Sequence, residues 1–111
     1  MPIRHHLIAA AGRASEGQTV AWIGPSQVFV REDFLSIADV IAGGATVRRT
    51  NGSESIEFPN GGRIRFVSVR SSGHRGFVCD RLYVPDRIAE DDLLNLVPCV
   101  ATSKDGAIVY Y

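Results

Sequence analysis

Residues 80–87 read DRLYVPDR, and chemistry would first be sought there. The apolar run Leu82, Tyr83 and Val84 has the pattern of a buried strand, which delivers whatever follows it to the edge of a sheet. Two adjacent carboxylates at such an edge can divide the work of phosphoryl transfer, one holding Mg²⁺ and one polarising the attacking water. Here those positions are Pro85 and Asp86. Pro85 has no side-chain oxygen, so half of the pair is missing. Asp86 then has two readings. It is a relic metal ligand, or it caps the helix that follows, accepting amide hydrogen bonds around Ile88 and Ala89.

Arginine supplies the second candidate. Residues 48–75 hold Arg48, Arg49, Arg63, Arg65, Arg70 and Arg75 against only Glu54 and Glu57. Such a cluster can neutralise the phosphates of a nucleic-acid backbone. The alternative is a solvated hairpin face ion-paired to the two glutamates. No run of exposed aromatics is expected between the arginines, which leaves base stacking without support. His5, His6, His74, Cys79 and Cys99 carry enough donor atoms for a metal, but their spacing matches no zinc pattern, and neighbouring His5 and His6 point to different sides of a helix. No metal and no cofactor are expected. The two cysteines have neither a CxxC spacing nor a secretory context, which favours buried thiols over a disulfide.

These residues need elements to position them. Residues 3–14 carry Leu7, Ile8 and Ala11 at helical spacing, with Gly12 and Gly17 as terminators. TVAWIG, residues 19–24, is a continuous β-forming run stopped by Gly24 and Pro25, suited to a strand buried on both faces. Ser26 can cap a helix whose stripe is Val30, Phe34, Ile37 and Ile41, ended by Gly43 and Gly44. Short β-like pieces follow at 45–50, 55–60 and 63–69, the last two flanking Asn60-Gly61-Gly62, a hairpin signal. Alternation in the last piece puts Ile64, Phe66 and Ser68 on one side and Arg63, Arg65, Val67 and Val69 on the other. A loop at 71–76, a buried strand at 81–85, an amphipathic helix at 90–101 interrupted by Pro98, and a final strand AIVYY complete the order. Trp22 and Phe29 read as core, and Tyr110 with Tyr111 as an edge strand. The fold class is α/β: a mainly parallel sheet flanked by helices, with an antiparallel hairpin insertion.

At 111 residues the chain suits one domain, 1–111. Its formal net charge of zero excludes attraction to nucleic acid by bulk charge. No segment approaches the roughly 20 apolar residues of a membrane helix, and no signal peptide is evident, so a cytoplasmic protein without a membrane partner is expected.

The succession of these pieces resembles the ATPase core of phage terminase large subunits, within the RecA-like motors that also include many helicases. It runs over residues 3–111: the strand ending in Gly24-Pro25-Ser26, a helix, the hairpin IEFPNGGRIRFVSV, the pair Arg75-Gly76, DRLYVPD, a helix with an acidic start, and DGAIVYY. The resemblance implies a structural hairpin matched at Ile56, Phe58, Asn60, Gly61, Gly62, Ile64 and Phe66. It implies a Walker B region at Arg75, Gly76 and residues 80–86, and a coupling or DNA-contacting strand at residues 22–26. The chain departs from the pattern where chemistry is done. It contains no GxxxxGK[ST] phosphate loop, and its single lysine is Lys104. The family's metal-binding Asp falls on Pro85 and its catalytic Glu on Asp86.

These departures lead to the expectation of a truncated P-loop NTPase-like domain with a degenerate Walker B, a non-enzyme of phage origin. Such a protein acts by binding a protein partner or itself through sheet edges that a phosphate-loop strand would otherwise cover. DNA contact through the six arginines is a second component, and the setting is the host cytoplasm. The alternative is one subunit of a split ATPase whose phosphate-binding loop is on another chain.

Overall fold

The computed structural model describes residues 2–39, 41, 44–50, 53–69, 78–101, 103 and 106–111, with side chains described from residue 5 onward. In chain order the elements are α1 (Pro2–Ser15), β1 (Thr19–Gly24), α2 (Gln27–Ala38), β2 (Thr46–Arg48), β3 (Ser55–Glu57), β4 (Arg63–Ser68), β5 (Arg81–Val84), α3 (Glu90–Leu96), a 3₁₀ turn (Val97–Cys99) and β6 (Ala107–Tyr110). The sheet has six strands in the order β2-β3-β4-β1-β5-β6. β4, β1, β5 and β6 run parallel, and β2 and β3 add antiparallel to β4. This is the α/β architecture read from the sequence, with the antiparallel insertion on one flank.

Burial explains the pattern of each strand. β1 is central and buried nearly throughout, so its run of Val20, Ala21, Trp22 and Ile23 serves both faces. One face packs Val20, Trp22, Ile56, Ile64, Phe66 and Tyr83 under Leu7, Ala10 and Ala14 of α1 and Val30, Phe34 and Ile37 of α2. The other packs Ala21, Ile23, Val67, Leu82 and Val84 under Leu96, Cys99 and Val100. The predicted alternation in β4 holds: Ile64 and Phe66 join the first cluster, Val67 and Val69 the second.

Turns and helix ends refine the expected boundaries. The Asn60-Gly61-Gly62 hairpin forms, with Gly61 at φ 92° and the Asn60 side-chain oxygen accepting from the Gly62 amide at 3.1 Å. Gly62 is also a docking point: a Cβ there would lie 1.8 Å from the carbonyl oxygen of Ala14 at the end of α1. α2 ends at Ala38, ahead of the predicted glycine stop, of which Gly43 lies outside the described residues. Pro98 interrupts the last helix as expected, converting its end into the 3₁₀ turn. Phe29 departs from its predicted core place. It is 53% exposed, because the buried stripe of α2 runs through Val30 and Phe34 and turns Phe29 outward. Among the described residues no helix is long and apolar enough to cross a membrane.

Candidate functional site

Two places in this framework collect the residues singled out in the sequence. The first is the carboxyl end of the parallel strands. α2 leaves β1 over one face of the sheet and α3 leaves the adjacent β5 over the other, so a crevice opens where the two strand ends diverge. Its β1 wall is Gly24, Pro25 and Ser26. Gly24 is required sterically, since a Cβ would sit 2.5 Å from the Val30 side chain and 3.3 Å from its amide nitrogen. Its β5 wall is Val84, Pro85 and Asp86.

The backbone rather than a side chain does the binding at that β5 wall. The Tyr111 amide donates to the Val84 carbonyl at 2.9 Å, and the Asp86 amide to the Tyr111 carbonyl at 2.7 Å. Pro85, lacking both an amide hydrogen and a side-chain oxygen, sits half-buried between them. Asp86 is exposed in a turn closed by the Ile88 amide donating to the Pro85 carbonyl. It does not cap α3, as one reading of the sequence had it: α3 starts at Glu90 with Ala89 in the cap position and no side-chain cap. The intervening turn places Asp86 too far upstream, because only the residue just before the helix can reach its first free amides. Among the described residues no group of three or more His, Cys, Asp or Glu could hold a metal ion. His5 is exposed, and His6 instead lies edge-on to Tyr83, with ring centroids 6.4 Å apart.

The second place is the antiparallel flank. Register pairs Arg48 with Ser55 and Ser55 with Arg65; one row away it pairs Thr46 with Glu57 and Glu57 with Arg63. Val47, Ile56 and Ile64 alternate with these and face the helices, so Arg48, Arg63 and Arg65 share the opposite face with Glu57 among them. That face is continuous with the one α3 covers: Arg65 pairs with Ala21, which lies under α3. Arg48, Arg49 and Arg63 are exposed and Arg65 is half-buried. Arg70 and Arg75, with Gly76 and His74, lie outside the described residues.

Glu54 is the member of this region the sequence misplaced. Expected in a solvated ion pair with the hairpin arginines, it is fully buried, accepting from Gln27 Nε2 at 2.9 Å and Arg31 Nη1 at 3.3 Å. Arg31, 34% exposed, also donates to the Arg49 carbonyl and thereby fixes the chain from which Arg48 and Arg49 project. The signal was present: Glu54 shares parity with inward-facing Ile56.

Asp33 was also missed, although it lies on α2, half-buried, next to Phe34 of the buried stripe. Trp22 Nε1 donates to Asp33 Oδ2 at 3.0 Å, and the Trp22 ring stacks on Tyr111 at 4.3 Å and on Tyr83 at 5.4 Å. The Tyr111 hydroxyl donates to the Ile23 carbonyl. Burial raises the Asp33 carboxyl above its ordinary value, against the lowering effect of the Trp22 hydrogen bond, and Glu32 raises it further. Burial, then the charge of Asp33, raises the Tyr111 phenol, which keeps it a neutral donor. Trp22 is thus a core residue, as predicted, and Tyr111 anchors to it the last strand of the sheet.

With this geometry in place, solved structures supply a match. The chain is similar to the large terminase of a thermophilic bacteriophage, with a TM-score of 0.56 and 15% identity over 84% of this chain and 25% of the other. The fold is that of part of a phage large terminase. A further crystal form of that terminase, in complex with ADP, aligns with a TM-score of 0.49 and 17% identity over 85% of this chain and 25% of the other. The chain therefore spans about a quarter of the length of the terminases it matches. No protein-family model and no curated protein matches its sequence. The likeness accords with the resemblance carried by the succession of sequence motifs, and at this level of identity it concerns the fold.

Proposed function

We propose that this is a non-catalytic, terminase-like pseudo-ATPase domain that acts by binding a protein partner or a second copy of itself, with DNA contact as a second component. The observation that carries the reading is the edge strand β6. It ends the sheet, pairs among the described residues only with β5, and its run Ala-Ile-Val-Tyr has no charge. The Ala107 and Tyr111 amides point inward to β5, so by alternation those of Ile108 and Tyr110 point to the open edge. Natural proteins cover or charge such an edge, and strand addition by another chain is one way to cover it. Pro85 and solvent-exposed Asp86 support the absence of catalysis, since phosphoryl transfer rests on positioned charge and metal.

The deciding experiment replaces Tyr110 with Pro. This removes an outward donor while leaving the inward ladder intact. Wild-type chain is expected to associate, with itself or with a co-purified partner, in light scattering after size exclusion, and the variant to run as an unassociated monomer with unchanged Trp22 fluorescence. Equal behaviour of the two proteins would remove the reading. For DNA, binding to a short duplex should weaken steeply with salt and vanish when Arg63 and Arg65 are both changed to Glu. No binding at low salt would confine the function to protein association. Calorimetry with Mg-ATP should show no heat of binding, and tight binding would overturn the pseudo-ATPase assignment.

A further inference from the structure

We propose that Cys79 and Cys99 form an oxidisable pair, able to close into an intramolecular disulfide that locks the 3₁₀ turn after α3 onto the entry to β5. They are the only cysteines of the chain, both reduced and both buried. The fold brings them together: the Cys79 amide donates to the Cys99 carbonyl at 2.8 Å. A backbone bond of that kind sets the two Cα atoms on the order of 5–6 Å apart, within the span of a disulfide. Both side chains enter one apolar cluster with Ala21, Leu82 and Leu96. The Cys79 thiol also senses Cys99. Burial first, and then Cys99 and Asp80, push the Cys79 thiol up to about 12, and burial raises Cys99 as well.

Raised thiol pKa values keep the pair reduced and slow to react while the cover is closed. That cover is slight: α3 has seven residues, and Leu94 and Val97 on it and the following turn are exposed. Local opening of so small a unit takes less free energy than global unfolding and admits an oxidant. With hydrogen peroxide, the Cys99 thiolate attacks one oxygen, the O–O bond breaks, and hydroxide leaves and takes up a proton as water, giving a sulfenic acid. The Cys79 sulfur then displaces that hydroxyl, which departs as a second water with the thiol proton. Two thiols lose two electrons, and one peroxide becomes two waters.

The test treats the native chain with hydrogen peroxide, then unfolds it, alkylates any remaining thiols and digests it with trypsin. The expected product is residues 76–81 joined to residues 88–104, in a monomer on a non-reducing gel. In a glutathione redox buffer the native chain should form the bridge at a more reducing poise than the same chain in urea, because the fold holds the two sulfurs together. Closing a loop of about 20 residues should raise the unfolding midpoint by on the order of 10 °C, reversed by dithiothreitol. Cys79→Ser and Cys99→Ser should each abolish the crosslink and the shift. Two alkylatable thiols after native oxidation, a disulfide-linked dimer, or an equal redox poise in urea would each overturn the proposal.

Discussion

The two flanks of the sheet are built on opposite logic. On the antiparallel flank, polar ties fasten the strands to the helices: Asn60 Nδ2 donates to the Ser15 carbonyl at 2.6 Å, Gly62 packs against the Ala14 carbonyl, and buried Glu54 is held by Gln27 and Arg31. Its edge strand β2 is three residues long, exposes Thr46 and Arg48, and is followed by exposed Arg49. On the parallel flank the tie is aromatic, Tyr111 on Trp22 on Tyr83, and the edge strand β6 is uncharged with Tyr110 47% exposed. A short edge bearing arginines resists strand addition while presenting charge; an apolar one invites a strand. The same sheet thus separates an edge that carries charge from one that carries none.

The largest way to break this contrast is at Gly62. Gly62→Ala forces a Cβ against backbone that cannot swing aside, and the antiparallel flank should lose about 3 kcal/mol or more of stability in urea unfolding. The corresponding test on the parallel flank is Tyr111→Ala. It removes a half-buried ring and the bond to the Ile23 carbonyl, with an expected loss of about 2–3 kcal/mol and a shift in Trp22 emission as its stacked neighbour disappears. If Gly62→Ala cost little and Tyr111→Ala cost more, the two flanks would have their anchors in the reverse order.

Much of this division was legible in the sequence, and what escaped has a physical cause. Periodicity located β1, the stripe of α2 and the two faces of β4, because burial on a regular element repeats every two or every three to four residues. Asn60-Gly61-Gly62 announced its turn through the left-handed backbone it demands. The role of Glu54 was hidden by its type: a lone carboxylate between serines reads as surface, and its partner Arg31 lies on an element distant in sequence. The cap reading of Asp86 failed because a cap depends on where a helix begins to within one residue, and boundaries are the least determined part of any pattern. The pairing of Cys79 with Cys99 depends on how α3 and its 3₁₀ turn dock, which no spacing rule encodes.

A smaller effect sharpens the account of the antiparallel flank. Arg31→Met keeps an unbranched apolar side chain but withdraws the charge facing buried Glu54 and the guanidinium that lies 5.7 Å from the centre of the Phe34 ring. Because Arg31 is about one-third exposed and Gln27 remains as a donor, the expected loss is about 1–2 kcal/mol, less than for a wholly buried pair. The double variant Arg31→Met, Glu54→Gln should recover part of it, since it also removes the buried negative charge that Arg31 faced. A double variant no more stable than the single one would show that Arg31 acts through the Arg49 carbonyl instead.

The smallest effect lies on the parallel flank and is a matter of pH. Asp33 has its carboxyl raised above the ordinary 3.8, chiefly by burial. The folded state therefore holds this proton more tightly than the unfolded state does. Its contribution to stability is fully present below the ordinary carboxylate value and is lost as pH rises through the raised folded value. Asp33→Asn preserves an oxygen for the Trp22 indole hydrogen and cannot ionise. The variant should match wild type in acid and become the more stable of the two toward neutral pH, by less than about 1 kcal/mol because the group is only half-buried. Trp22, the single tryptophan, reports both curves by its fluorescence. Parallel curves for the two proteins from acid to neutral pH would mean that the Trp22 hydrogen bond fully offsets the desolvation, leaving the aromatic anchor of this flank without an electrostatic cost.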